Sequence, residues 1–190
     1  MKYLLITGAS AGIGLSAAKL FLDEGYSVIN LSRRVCPAKK AMHFTADLSD
    51  PNFLNPIMDD LEKNLRGAEE IVLVHNAARL TNDKVDSTDS NDFRQIMEIN
   101  LIASNTLNQN LIPLMKPGSS ILYLGSTLSE KAVPNSFSYV TSKHAVIGMM
   151  RATCQDPIAT GIHTSCICPG FTDTEMLREH VPDEFMDTIK

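Results

Sequence analysis

The sequence predicts an α/β domain in which helices cover both faces of a doubly wound, parallel β-sheet. Short apolar runs alternate with segments of helical period, which is typical of repeated βαβ units. The run IVLV at 71–74 is apolar enough for a strand that is buried on both faces of such a sheet. A length of 190 residues suits a single domain, and no linker or internal repeat divides the chain.

The first unit begins with a strand at Lys2–Thr7. A helix starts near Gly12 and Gly25 closes it, because glycine readily takes the left-handed conformation that follows a helix end. Its apolar residues recur at helical spacing and are expected to face the sheet: Ile13, Ala17, Leu20 and Phe21.

The second and third strands are predicted at 27–31 and Met42–Thr45. Only about ten residues join them, close to the minimum for a crossover helix with its loops, so we expect a turn or a short stub there. A helix follows at 51–65, although Pro56 is unfavourable in its first turns. Its inward residues are expected to be Phe53, Ile57, Met58 and Leu61.

A fourth strand at Glu70–His75 precedes a long helix from 92 to about 111. Pro113 stops this helix, because the residue before a proline disfavours the helical conformation. A fifth strand follows at 120–125.

The last helix is predicted from 138 to about 155 and ends before Pro157. A sixth strand at 163–168 ends at Pro169-Gly170. The acidic, weakly amphipathic segment 173–190 resembles the start of a mobile lid.

Composition and charge narrow the range of partners. The chain is 44% apolar and 21% charged, with a net charge of −5. Nucleic acid and anionic membrane surfaces repel such a protein, so we expect neither as a partner. No apolar run approaches the length of a membrane span, and the first strand is too short for a secretory signal. A cytoplasmic protein that acts on a small molecule is therefore expected.

The cysteines form neither a metal-binding nor a disulfide pattern. Cys36 and Cys154 lie apart, whereas Cys166 and Cys168 alternate along the sixth strand and are expected in the core. This usage fits a reduced compartment. The histidines are scattered, so no metal site is predicted.

A glycine-rich turn follows the first strand. Segment 7–14 reads TGASAGIG, and a strand before it and a helix after it are the context that a pyrophosphate cradle needs. Gly8 permits a tight turn, Gly12 allows close approach of a ligand, and Gly14 lets the helix pack on the sheet. Such turns also occur for structural reasons alone, but in this context we expect a nucleotide.

Three residues of the second half suit proton-coupled hydride transfer. Tyr139 and Lys143 are four apart, so both project from one face of the predicted helix. A tyrosine can protonate a carbonyl oxygen, and a nearby ammonium should lower the pKa of its phenol. Ser126 closes the fifth strand, where its hydroxyl can stabilise charge on a substrate oxygen. Singly, these residues could equally be an ordinary helix pair and a strand-end hydroxyl.

Together, Thr-Gly-x-x-x-Gly-x-Gly and Ser…Tyr-x-x-x-Lys resemble the motifs of the short-chain dehydrogenase/reductase family over essentially the whole chain. The resemblance implies a Rossmann-type fold, a nicotinamide cofactor and reversible reduction of a carbonyl to an alcohol. It implies that Tyr139 is the general acid/base, that Lys143 also holds the nicotinamide ribose, and that Asn100 holds a water in the proton relay. The other cofactor contacts that it implies are Ser10 and Ile13 in the turn, Asp47 and Leu48 at the adenine, Asn76, Ala77 and Ala78 after the fourth strand, and Pro169, Gly170, Thr172 and Thr174 at the nicotinamide.

The end of the second strand predicts NADP(H) in preference to NAD(H). An acidic residue there would bind the adenosine ribose and repel a 2′-phosphate, but this chain has Ser32 followed by Arg33 and Arg34. An arginine fork suits a phosphate. The alternative is that these arginines, with Lys39 and Lys40, form a solvated surface patch.

Some features depart from the family pattern. His75 and Ala78 replace the asparagine and glycine that usually flank the fourth-strand motif. Family members usually continue past the sixth strand, so we expect this chain to lack a C-terminal strand and part of the substrate lid. Similar proteins pair through their long helices, which implies a homodimer or homotetramer. A catalytically silent NADP-binding sensor is the alternative function, and the presence of both Tyr139 and Lys143 favours the enzyme.

Overall fold

Six parallel strands form one sheet in the computed structural model, which describes residues 1–156 and 161–180. The strands are β1 (Lys2–Thr7), β2 (Ser27–Ser32), β3 (Met42–Thr45), β4 (Glu70–His75), β5 (Ser120–Leu124) and β6 (His163–Ile167). Their order is β3-β2-β1-β4-β5-β6, so the chain winds outward from β1 in both directions. This arrangement confirms the predicted doubly wound fold, and it leaves a crevice at the carboxyl ends of β1 and β4.

Helices cover both faces of this sheet. They are α1 (Gly12–Asp23), α2 (Met58–Leu65), α3 (Ser90–Met97), α4 (Ala103–Leu111), α5 (Phe137–Gln155) and α6 (Glu175–His180). One core cluster joins Leu5, Leu73 and Tyr123 of the sheet to α2, α4 and α5. On the opposite face, Ile6 and Val74 pack with α1. No helix in the regions 1–156 and 161–180 has the length and apolar character that a membrane span requires.

The connection from β2 to β3 contains bends and a turn at 33–41 instead of a helix, as its length predicted. The predicted helix ending before Pro157 stops at Gln155, and Pro157 itself lies outside the described residues. Of the predicted lid segment 173–190, residues 181–190 also lie outside them.

The predicted helix at 51–65 is wrong in its first half. Residues 51–57 form consecutive turns, and only Met58–Leu65 is helical. Pro56 cannot donate a backbone hydrogen bond, and the Asp50 side chain accepts one from the Asn52 N–H at 2.9 Å, which favours a turn over a helix. The predicted inward residues still contact the core: Phe53, Ile57, Met58 and Leu61.

The predicted helix from 92 to about 111 is helical from Ser90 to Leu111, but it is interrupted. A π-helical segment at Glu98–Ile102 separates α3 from α4. Such segments shift the hydrogen-bond register and are frequent at functional sites. Asn100, a predicted site residue, lies at the centre of this segment.

Three predicted core positions require correction. Leu20 is 58% exposed, because the helix approaches the sheet most closely at the buried residues Gly14 and Ala18. The other predicted inward residues, Ile13, Ala17 and Phe21, are partly buried and pack against the core. Cys166 and Cys168 share a face as expected, but they are half-buried.

Candidate active site

The glycine turn between β1 and α1 has the backbone shape that a nucleotide cradle requires. Gly8 and Gly12 have φ of 72° and 54°, in the left-handed region that favours glycine. The N-cap residue Ala11 makes no side-chain cap bond, so the first N–H groups of α1 and the helix dipole can serve an anion such as a pyrophosphate. Ser10 and Ile13 lie half-buried in this turn.

Side chains from β1 and the end of β4 hold the turn in place. Thr7 Oγ1 accepts hydrogen bonds from the N–H groups of Asn76 and Ala77, each at 3.0 Å. Asn76 Nδ2 donates to the carbonyls of Thr7 and Gly8 at 2.9 and 3.1 Å. A Cβ at Gly14 would lie 2.5 Å from Asn76 Nδ2, so only glycine permits this packing. Asn76 and Ala77 therefore support the glycine turn through hydrogen bonds with Thr7 and Gly8.

Asn30 in β2 is a site residue that sequence analysis did not assign. Its side chain is fully buried, and Oδ1 accepts a hydrogen bond from the Ala9 N–H at 2.9 Å. Nδ2 lies 2.9 Å from both Ser32 Oγ and His43 Nδ1. Asn30 thus joins the glycine turn to the end of β2. The signal in the sequence is an amide within an otherwise apolar strand.

The residues predicted to choose the cofactor follow β2, beside the glycine turn. The Ser32 hydroxyl is buried and donates to the Arg34 carbonyl at 2.6 Å, so it holds the loop that carries the arginines. Arg33 and Arg34 are exposed. The Arg34 guanidinium forms a salt bridge of 3.0 Å with Glu175 at the start of α6.

Asp47 and Leu48, the predicted adenine contacts, follow β3. The Asp47 carboxylate accepts hydrogen bonds from the N–H and the hydroxyl of Ser49 at 3.0 and 2.7 Å. These bonds lower the pKa of Asp47, and the Arg33 guanidinium contributes in the same direction. The Leu48 side chain is buried. The charges of Asp47 and Arg33 are therefore close enough to attract each other at one end of the crevice.

The segment after β6 returns to the glycine turn. The Pro169 carbonyl accepts a hydrogen bond from the Thr127 N–H at 2.9 Å, which ties the segment to the end of β5. Thr172 Oγ1 donates to the Gly170 carbonyl at 3.4 Å. Thr172 and Thr174 then line an open hollow along α1. The four predicted nicotinamide contacts are thus on one segment beside the cradle.

Tyr139 and Lys143 lie one turn apart on α5, next to the end of β5. Lys143 is buried, and its Nζ donates to the Leu124 carbonyl at 2.5 Å. The same Nζ lies 5.5 Å from the centroid of the Tyr139 ring. Ser126 follows β5 immediately, and its Oγ accepts a hydrogen bond from the Leu128 N–H at 3.1 Å. The structure therefore brings the three predicted side chains together.

Burial shifts the pKa values of both helix residues against the charged form. It raises the pKa of Tyr139, and hydrogen bonding with Ser126 opposes this effect. It lowers the pKa of Lys143 to about 8, and the thiols of Cys166 and Cys168 oppose that shift. We expected Lys143 to lower the pKa of Tyr139, but burial raises that pKa, and the Lys143 ammonium donates its hydrogen bond to the Leu124 carbonyl.

Asn100 is buried, and its side chain connects two parts of the site. Oδ1 accepts from the Arg79 N–H at 2.8 Å, while Nδ2 donates to the Arg79 carbonyl at 3.0 Å and to Ser142 Oγ at 2.9 Å. Ser142 in turn donates to the Tyr139 carbonyl at 2.8 Å. Asn100 therefore links the segment after β4, which includes the half-buried Ala78, to α5. Its place in a proton relay stays a prediction.

Comparisons with known proteins agree with this geometry. A family model described as short chain dehydrogenase matches residues 2–184. Protein FixR of Bradyrhizobium diazoefficiens is 34% identical over 93% of this chain and 69% of that protein. A short chain dehydrogenase family protein from Francisella tularensis has a TM-score of 0.87 at 28% identity, over 99% of this chain and 77% of that chain. For 4-hydroxyisoleucine dehydrogenase complexed with NADH, the TM-score is 0.80 at 25% identity, over 93% of this chain and 78% of that chain.

Proposed function

We propose, from the premise that this chain belongs to the short-chain dehydrogenase/reductase family, that it reduces a carbonyl compound to an alcohol with NADPH and catalyses the reverse reaction. Family membership makes the chain an NAD(P)-dependent oxidoreductase. The choice of NADPH and catalysis by Tyr139 are our own inferences. Catalysis by Tyr139 rests on the buried Lys143 ammonium, 5.5 Å from the Tyr139 ring and beside the strand end that presents Ser126. The choice of NADPH rests on the residues at the end of β2.

Each side chain has a distinct part in the proposed reaction. When bound, NADPH supplies the hydride that reaches the carbonyl carbon. Tyr139 donates its phenolic proton to the carbonyl oxygen, and its raised pKa keeps the phenol protonated at neutral pH. The Ser126 hydroxyl donates a hydrogen bond to the same oxygen and stabilises its developing charge. The Lys143 ammonium stabilises the phenolate that Tyr139 leaves behind.

The backbone of the glycine turn fits the pyrophosphate of a dinucleotide. The start of α1 offers N–H groups that no side chain caps, and glycine conformations bring the main chain close to a ligand. We assign the pyrophosphate to this turn, the adenosine to the ends of β2 and β3, and the nicotinamide to the segment after β6. The residues that would hold the cofactor are Gly8, Ser10, Gly12, Ile13, Gly14, Ser32, Arg33, Arg34, Asp47, Leu48, Asn76, Ala77, Ala78, Pro169, Gly170, Thr172 and Thr174, together with Tyr139 and Lys143.

NADPH is preferred because no carboxylate stands at the end of β2. The buried Ser32 cannot repel a phosphate, and the exposed Arg33 and Arg34 offer cationic forks beside the glycine turn. Glu175, which pairs with Arg34, would compete with the phosphate for this arginine. The similar 4-hydroxyisoleucine dehydrogenase is complexed with NADH, so the cofactor choice of this chain must be measured directly.

The decisive experiment follows NADPH oxidation over a panel of aldehydes, ketones and 3-oxoacyl esters. Tyr139→Phe should lower kcat about 100- to 10,000-fold, because it removes the acid. Tyr26→Phe is the matched control, since this hydroxyl bonds to Glu70 at the opposite end of the sheet, 2.6 Å away. Wild-type kcat in Tyr139→Phe would contradict the assigned role. Tight NADPH binding without turnover on any compound would support the NADP-binding sensor instead.

The cofactor preference has a separate test. Arg33→Ala and Arg34→Ala should each raise the Kd for NADPH about tenfold while leaving the Kd for NADH unchanged, because each removes a charge-assisted hydrogen bond. Arg66→Ala, an exposed arginine after α2, is the control. Equal affinities for the two cofactors in the wild type would contradict the preference. A cytoplasmic location and a homodimer or homotetramer stay predictions, and light scattering of the purified protein tests the latter.

A further inference from the structure

The carboxylate of Asp83 lies at the start of α5, the helix that carries Tyr139 and Lys143. Oδ1 accepts a hydrogen bond from the Ser138 N–H at 3.0 Å, and Oδ2 accepts one from the Ser138 hydroxyl. Ser138 is fully buried and directly precedes Tyr139. Asp83 belongs to the loop after β4, 55 residues earlier in the chain. Two distant segments are thus joined at the first turn of the candidate catalytic helix.

The main chain around Asp83 makes the same connection. The Asp83 N–H donates to the Asn135 carbonyl at 3.0 Å, and the Phe137 N–H donates to the Asp83 carbonyl at 3.3 Å. Asp83 and Ser136 form a parallel bridge. Asn135 has a φ of 60°, so the chain turns sharply just before α5 begins. The bridge fixes this turn, and the carboxylate fixes the helix that follows it.

The first turn of α5 has no cap of its own. The residue before it, Ser136, makes no side-chain cap bond, and no acidic residue lies within the turn. Helix N-termini need acceptors for their free N–H groups and favour a negative charge. Asp83 supplies both from outside the helix. We propose that Asp83 is a positioning residue for Tyr139, which holds the first turn of α5 so that the phenol points at the substrate oxygen beside Ser126.

This inference rests on the proposed function, and kinetic constants test it. Asp83→Ala removes both acceptors of Ser138, and a displacement of about 1 Å at a catalytic group can lower a rate about 100-fold. We therefore expect kcat to fall about 10- to 100-fold, with a much smaller change in the KM for NADPH because Asp83 does not contact the glycine turn that holds the pyrophosphate. Asp83→Asn keeps a side-chain oxygen for the Ser138 N–H and should recover most of the kcat. A fall in kcat that Asp83→Asn does not reverse would overturn the proposal.

A matched control separates positioning from general loosening. Asp89 caps α3 by accepting from the Asn91 N–H at 2.8 Å. This helix supports α5 directly, because the rings of Phe93 and Phe137 stack with centroids 5.5 Å apart. Asp89→Ala therefore removes a comparable cap beside α5 without touching the N–H groups of α5. We expect it to keep the wild-type kcat, and an equal loss in both alanine variants would overturn the proposal.

Ser138→Ala and Tyr139→Phe complete the test of Asp83. Ser138→Ala removes only the hydroxyl bond and should lower kcat less than Asp83→Ala does. If Asp83→Ala does not fold, Ser138→Ala and Asp83→Asn carry the test, and wild-type kcat in Ser138→Ala would then overturn the proposal. Tyr139→Phe runs in parallel. If it is inactive while Asp83→Ala has wild-type kcat, only the inference on Asp83 fails. If Tyr139→Phe is fully active, the proposed function fails first.

Discussion

His75 ends β4 with its ring inside the core, and this position should make the stability of the fold depend on pH. The side chain is buried, with Nε2 2.8 Å from Asn108 Oδ1, and its ring is tilted by 32° against that of Tyr123, with the centroids 4.8 Å apart. Nδ1 has no hydrogen-bond partner within the described part of the chain. Protonation would therefore place a charge and an unpaired N–H in the core, and burial lowers the pKa of His75 to about 4.

The size of the effect follows from this shift. The folded state keeps His75 neutral down to pH about 4, whereas the unfolded chain binds a proton below pH 6.5. Between these values the unfolded state binds more protons, so the stabilising contribution is present above pH 6.5 and is lost as the pH falls. The difference of 2.5 units (6.5 minus 4) corresponds to about 3 kcal/mol in full. About 2 kcal/mol of this should be lost between pH 7 and pH 5.

Urea unfolding at the two pH values measures this loss, and His75→Asn provides the comparison. Asparagine does not titrate, and it is the residue that similar proteins usually carry at this position. All other titrating groups are shared by the two proteins, so their contributions cancel in the difference. The wild type should lose about 2 kcal/mol more than the variant on acidification. An equal loss in both proteins would refute the assignment of this pH dependence to His75.

Gly125→Ala should lower the free energy of unfolding by about 1–3 kcal/mol, because its methyl would crowd the sulfurs of the two cysteines at the end of β6. The added Cβ would lie 2.8 Å from each of these sulfurs. Gly148→Ala is the control, because no atom lies within 4 Å of a Cβ there, and it should not destabilise the fold. Similar urea midpoints for the two variants would contradict this reasoning. Asn30→Ala should raise the Kd for NADPH about tenfold in calorimetric titrations, because the Ala9 N–H of the glycine turn loses its acceptor. An unchanged Kd would show that Asn30 does not support cofactor binding. The kcat/KM for carbonyl reduction should fall above pH about 8 as Lys143 loses its proton, and a profile that stays flat to about pH 10 would contradict this.

Strands β1, β2, β4 and β5 were predictable because each contains a short apolar run between polar or glycine-containing breaks. Met42–Thr45 and Glu70–His75 have the predicted bounds. The helix at 51–65 was partly wrong because apolar periodicity continues through Pro56, while local turn hydrogen bonds replace the helix there. On α1, Ile13, Ala17 and Phe21 pack against the core as their helical spacing predicts, and Gly14 approaches Asn76 closely as its predicted packing role requires. Helical spacing wrongly placed Leu20 on this face, where Ala18 is the buried residue.

The candidate site also contains residues that were predictable from the sequence and residues that were not. Local motifs identify the glycine turn, Tyr139 and Lys143, since each motif has its own spacing in the sequence. The groups that fix these motifs come from elsewhere in the chain: Asn30 lies 21 residues from its partner in the glycine turn, and Asp83 lies 55 residues from Ser138. No periodicity connects such pairs. Only the packing of β2 beside β1, and of the loop after β4 against α5, brings them together.

The opposite pKa shifts of Tyr139 and Lys143 bear on how the proposed chemistry would depend on pH. Burial penalises a lone phenolate and a lone ammonium, which is why the pKa of Tyr139 rises while that of Lys143 falls to about 8. A phenolate beside an ammonium is penalised less, because opposite charges attract strongly where the surroundings are weakly polar. If Tyr139 is the acid, each proton that it donates creates a phenolate. Lys143 can form an ion pair with this phenolate only while its amine is protonated. Deprotonation of Lys143 would leave that anion buried and alone. The loss of activity at high pH should therefore appear in kcat for reduction as well as in kcat/KM, because the phenolate forms at a step after the substrate has bound.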